Sequence, residues 1–164
     1  MFVLGIDPGL TRCGYGAVEG TPGRRPVAKA GGVLSTPVDS PLPERLAALA
    51  RDLRTLINDL KPDVVAVERV VFQTAVRNAI PVAQAAGLAM AIGVESGAAV
   101  VEYAANEVKV AVTGTGSAPK EQVQKMVQSL LRLSSPPDPP DVADALALAL
   151  CHLARAPLAQ RVSA

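Results

Sequence analysis

The chain has 164 residues, 49% apolar and 19% charged, enough for one domain with a real core and too few for two ordinary ones. A net charge of +1 excludes a global basic field, so any nucleic-acid surface requires Lys and Arg to be sorted onto one face. Two Tyr, two Phe and no Trp argue against a base-stacking platform and leave the core to Ala, Val, Leu and Ile.

Phe2 to Ile6 is a short apolar run stopping at Asp7-Pro8-Gly9, the pattern of a buried strand that ends in a turn. Met1 to Ile6 is too short for a signal peptide, and no segment suits a membrane span, so a cytoplasmic protein is expected. Cys13 to Val18 and Val27 to Ser35 follow as strands of an antiparallel meander. Cys13 and Cys151 lack metal-ligand spacing and fit reduced core thiols. From Leu42 to Leu60 the residues Leu42, Leu46, Leu49, Leu53, Leu56 and Leu60 form one stripe, predicting a core-facing helix. Val64 to Val67 is a second buried strand, ending in Glu68. Thr74 to about Gly97 is helical in pattern, with Pro81 as a start or kink. Ala98 to Tyr103 is a strand, and Asn106 to Val112 a short helix stopped by Gly114. Pro119 to Leu133 is amphipathic, with Pro119 suited to the first helical position. The last helix runs from Asp138 to about Ala154, with Asp138 expected to cap it, Pro139 first and Asp141 third. The order fits an α/β fold in which helices flank a mixed five-stranded sheet, with a domain over residues 1–155 and a tail over 156–164.

Four carboxylates carry the chemistry. Asp7 and Glu68 each end an apolar strand, where a charge at the edge of a core needs a partner. Asp141 and Asp144 are three residues apart and share a helix face. Asp141 alone suits the helix dipole. Asp144 precedes Ala145 to Leu150, an all-apolar stretch that should be buried, so it too needs a partner. Such a set suits an all-oxygen magnesium site, and paired ions on the order of 4 Å apart can act on a phosphodiester.

These residues resemble a known family, the RuvC crossover-junction endonucleases, which have a ribonuclease-H-like fold. Gly5-Ile6-Asp7-Pro8-Gly9 with Gly14 is similar to the opening motif, and Val67-Glu68-Arg69-Val70 to the second acidic motif. Glu107-Val108-Lys109, Gly114-Thr115-Gly116-Ser117-Ala118 and Lys120 resemble the segment before its long helix, and Asp141 to Ala147 the closing motif. The resemblance implies a homodimer that nicks two opposed strands of a four-way junction, leaving 5′-phosphate and 3′-hydroxyl. It implies two Mg2+ ions per site, replaceable by Mn2+, held by Asp7, Glu68, Asp141 and Asp144. It further implies roles near the scissile phosphate for Lys109 and Lys120, and RuvA and RuvB as branch-migration partners. The Ala-rich segment from Ala79 to Val94 is a candidate dimer interface. Arg12, Arg69, Gln73, Arg77, Asn78, Gly114, Gly116 and Ser117 are candidate DNA contacts.

The family places an aromatic three residues after the second acid. Here that position is Val71, and Phe72 follows as the candidate junction wedge. His152 lies two turns beyond Asp144 and is expected to be structural. Three alternatives remain at this point: a nuclease acting on RNA or an RNA–DNA hybrid, an actin-like ATP-binding domain sharing the first glycine-rich turn, and a DNA-binding scaffold without catalysis.

Overall fold

The computed structural model describes residues 1–21, 23–70 and 76–162, the side chains of 76–78 and 157–162 excepted. Its strands are β1 (Phe2–Asp7), β2 (Arg12–Glu19), β3 (Val27–Ser35), β4 (Val64–Glu68) and β5 (Ala99–Tyr103). Helices α1 (Leu42–Leu60), α2 (Val76–Glu95), α3 (Ala105–Thr113), α4 (Lys120–Leu131) and α5 (Pro140–Val162) surround them. The strands form one mixed sheet in the order β3-β2-β1-β4-β5. β1, β2 and β3 make the expected antiparallel meander, while β4 and β5 run parallel to β1. Each parallel pairing needs a helical crossover, which α1 and α2 supply.

Side-chain alternation along the central strands divides the core into two layers. Leu4, Ile6, Val65 and Val67 face α1 and α2, packing with Leu49, Leu53, Ile57, Ala85, Ala89 and Ile92. Val3, Val64 and Ala66 face the opposite way, toward Val108, Val123, Val127, Leu146 and Leu150. Both faces are thus covered by helices. Within α1 the buried set is Leu49, Ala50, Leu53 and Ile57, whereas Leu42 is exposed and Leu56 only half-buried. The core follows the 3.6-residue period of a helix lying on a sheet, not the 3.5-residue stripe that the leucines draw.

The expected helix starts need two corrections. α5 begins at Pro140, so Asp138 does not cap it; the Pro139 carbonyl accepts the Val142 N–H at 2.9 Å. Two consecutive prolines push the start one residue on, with Pro140 in the first helical position that a ring without an N–H tolerates. Pro119 likewise sits just before α4 in extended geometry, with φ −69° and ψ 158°. At the other end α5 continues to Val162, past the expected stop near Ala154. Pro81 lies inside α2 and does not begin it.

Candidate active site

The ladder brings the first two acids together. β1 and β4 pair Ile6 with Val67, so the next step along both strands sets Asp7 beside Glu68. Alternation aims both side chains at the layer holding Val3, Val64 and Ala66, which is the side that α5 covers.

α5 delivers Asp141 and Asp144 because the sheet lets it come close. Gly14 lies opposite Asp7 in the β1–β2 ladder. A Cβ there would sit 2.9 Å from the Asp141 Cβ, and one on Gly5 would sit 3.0 Å from the Ala145 carbonyl carbon. Any larger residue at these positions would push the acid-bearing turn of α5 off the strand ends. Gly5 and Gly14 of the opening motif therefore serve helix packing from within β1 and β2, whereas Gly9 lies in the turn between them.

The four carboxylates act on one another electrostatically. Burial pushes the Asp7 carboxyl up to about 8, helped by the charges of Glu68, Asp144 and Asp141, and its proton is donated to Glu68. Burial also raises Glu68, opposed by that hydrogen bond and by the nearby charges of Lys120 and Lys109. Asp7 and Glu68 thus share a proton in place of a second positive partner.

The other two acids hold cationic side chains. Arg12 donates to Asp141 Oδ2 from Nη2 at 2.8 Å and from Nε at 3.3 Å. Lys120 Nζ lies 3.3 Å from Asp144 Oδ2, and Asp144 is the main cause of that lysine's raised pKa. Among the described residues, no three Asp, Glu, His or Cys side chains are disposed to hold one metal ion as they stand. Two of the four acids are meanwhile engaged by Arg12 and Lys120. The donors are nonetheless all carboxylate oxygens, the set a hard divalent cation prefers. Asp7, pushed toward neutrality by burial and by three neighbouring acids, is the carboxyl such a cation would relieve most.

The remaining candidates divide. Lys109, half-buried on α3, lies near Glu68. Gly114 ends α3 in the left-handed region at φ 83°, its N–H donating to Val110. The turn it opens carries Gly116 and Ser117, whose hydroxyl meets Thr115 Oγ1 at 3.1 Å, and leads to Lys120 at the start of α4. Arg69 is exposed and sits on the β5 side, its N–H donating to the Tyr103 carbonyl at 2.8 Å and its charge lowering the pKa of Glu107. Phe72 and Gln73 lie outside the described residues, as do the side chains of Arg77 and Asn78.

His152 stays apart from the acids. Its Nδ1 meets the Tyr103 hydroxyl at 2.8 Å, and burial lowers its pKa. Beside it stands a pairing that sequence reasoning missed. Arg155 on α5 donates to Glu107 Oε1 at 2.6 Å and stacks 5.5 Å from the Tyr103 ring centre. Glu107 also accepts the Ala104 N–H at 2.9 Å, so one carboxylate caps α3 and ties it to α5. Nothing local in the sequence pointed to Arg155, and Ala104 has no polar side chain to announce a cap.

Residues 3–152 match the family described as "Crossover junction endodeoxyribonuclease RuvC". The chain is 52% identical to the crossover junction endodeoxyribonuclease RuvC of Salinispora arenicola, over 100% of this chain and 94% of that one. It is similar to the Thermus thermophilus RuvC structure, with a TM-score of 0.87, 35% identity and 97% of each chain covered. The T. thermophilus RuvC structure in complex with a Holliday junction substrate matches with a TM-score of 0.87 at 32% identity, over 96% of each chain.

Proposed function

The chain belongs to the RuvC family of crossover junction endodeoxyribonucleases, and we propose that Asp7, Glu68, Asp141 and Asp144 form the metal centre with which it nicks four-way DNA junctions. The observation that carries this reading is the convergence of four carboxylates, two from adjacent strand ends and two from α5, with Asp7 pushed up to about 8 by burial and by the charges of the other three.

Enzymes of this family depend on a divalent metal; here Mg2+ is the natural ion, with Mn2+ able to substitute and two ions per site. Bound there, the ions would supply Lewis acidity toward the phosphodiester and toward the attacking water. The chain's own part is to fix the oxygens and manage charge. Asp7 and Glu68 stand on paired strands, so their spacing is set by the ladder and not by a loop. Asp141 and Asp144 are fixed by a helix whose distance from the sheet Gly5 and Gly14 determine. Asp7 would hold such a cation as a carboxylate, in the charged form that burial and its neighbours otherwise disfavour.

Lys120 and Lys109 border the acids from α4 and α3, where a positive charge offsets the charge growing on phosphate oxygens. The products are a 5′-phosphate and a 3′-hydroxyl. Arg12, Arg69, Gln73, Arg77, Asn78 and the Gly114–Ser117 turn are the proposed backbone contacts, and Phe72 the wedge.

Paired cuts need two copies of the site, which a two-fold homodimer supplies. α2 is the proposed interface: Ile80, Gly87, Ala91 and Val94 are exposed at spacings of seven, four and three residues, and a Cβ on Gly87 would meet nothing within 4 Å. RuvA and RuvB are the proposed partners. No helix among the described residues is long and apolar enough to cross a membrane, and we place the protein in the cytoplasm with its DNA substrate. The test is cleavage of a synthetic four-way junction, a linear duplex and an RNA–DNA hybrid, with Mg2+ and with EDTA. Metal-dependent paired nicks confined to the junction are expected; preferential cleavage of the hybrid would overturn the reading in favour of a ribonuclease.

A further inference from the structure

We propose that Arg12 is an exchangeable counter-cation of the acidic centre, holding Asp141 while no metal is bound and moving to a DNA backbone phosphate when metal loads. The inference rests on the metal centre proposed above. Three observations lead to it. Arg12 spends two donors, Nη2 at 2.8 Å and Nε at 3.3 Å, on the single oxygen Asp141 Oδ2. Two donors fill both lone pairs of that oxygen, so an ion ligated through Oδ2 must displace at least one of them and sits against a like charge. The side chains are 49% and 26% exposed, so the guanidinium can swing into solvent without opening the core.

Charge favours the exchange in both directions. Without metal, Arg12 and Lys120 offset two of the four acids. A divalent ion brings the positive charge that Arg12 was providing, so the guanidinium is no longer needed at Asp141. It then stands free at the start of β2, just beyond the turn that follows Asp7, where it is exposed to a backbone phosphate reaching the acids. The planar guanidinium that fits a carboxylate fits a phosphate equally well. Lys120 makes a similar contact with Asp144, but with one donor at 3.3 Å and at 77% exposure, so it competes more weakly.

The exchange predicts effects of opposite sign from one substitution. Mn2+ binding to DNA-free protein, followed by the electron-paramagnetic-resonance signal of free Mn2+, should tighten about twofold to fivefold in Arg12→Gln, the reach of a partly exposed ion pair. Arg12→Lys should fall between Arg12→Gln and wild type. Binding of a fluorescently labelled four-way junction, followed by anisotropy, should weaken in Arg12→Gln by more in Ca2+ than in EDTA. Unchanged or weaker Mn2+ binding by Arg12→Gln would overturn the competition, and equal losses of junction affinity in Ca2+ and EDTA would overturn the release to phosphate. Wild-type protein that takes up no Mn2+ would instead sink the metal centre itself, and the exchange with it.

Discussion

Replacing Asp7 by Asn should make the metal-free protein more stable, and more so the higher the pH. Asp7 is a carboxyl pushed from 3.8 to about 8, by burial first and then by Glu68, Asp144 and Asp141. Its pKa is higher in the folded than in the unfolded chain, so folding holds a proton that the unfolded chain has already lost. Below pH 3.8 this costs nothing; between 3.8 and about 8 stability falls as pH rises; above about 8 the full penalty of a buried, repelled charge is present. At ~1.4 kcal/mol per pH unit the ceiling is roughly 6 kcal/mol. Asn removes the charge and keeps an N–H to donate to Glu68, yet its amide is still desolvated, so about half that ceiling, ~3 kcal/mol, is expected at pH 9. For a chain of this length that corresponds to a melting temperature higher by roughly 6–12 °C. Thermal melts in EDTA at pH 5 and pH 9 check it. A variant no more stable than wild type at pH 9, or a gain that does not grow with pH, would refute the electrostatic reasoning. With Mg2+ present the order should invert, because only the wild type gains from an ion that binds the folded state.

Three further predictions follow from the same geometry. Gly14→Ala puts a Cβ against the Asp141 backbone, so it should cost about 1–3 kcal/mol by overpacking and depress junction cleavage; full activity with unchanged stability would show that α5 has room to spare. Mg2+ affinity, measured by calorimetry, should rise from pH 6 to about 8 and then level off as the proton shared by Asp7 and Glu68 ceases to compete; a flat profile would contradict a shared proton at the ligands. Lys120→Ala should lower the single-turnover cleavage rate roughly 10²-fold with junction affinity changed far less, as loss of one charge at a transition state does; an equal loss in binding would make it an ordinary phosphate contact.

Local signals were readable wherever one element decides the outcome. The span of α1 matches the leucine-striped segment end to end, and the strands ending in Asp7 and Glu68 stand where apolar runs stop at a polar residue. Even so, the leucine stripe overstated the buried face, because a sheet-packed helix buries Ile57 and leaves Leu56 at the margin. Asp138 was misread as a cap because two prolines in succession offer two possible starts, and the choice belongs to the chain's approach to the sheet. Contacts between distant residues were not legible. Arg12 and Asp141 are 129 residues apart, and only the antiparallel turn of β1 into β2 under α5 makes them neighbours. Tyr103 with His152, and Glu107 with Arg155, meet for the same kind of reason across β5, α3 and α5. Gly9 was readable as a turn residue, but the service of Gly5 and Gly14 to α5 required knowing which helix lies on that face.

The central claim is that the four carboxylates hold the metal with which this chain nicks junctions. Its most direct test compares wild type with Asp7→Asn on a labelled four-way junction, measuring Mg2+-dependent cleavage and binding side by side. The account predicts that the variant folds, binds the junction about as well as wild type, and makes no metal-dependent nicks. Near-normal cleavage by Asp7→Asn would contradict it.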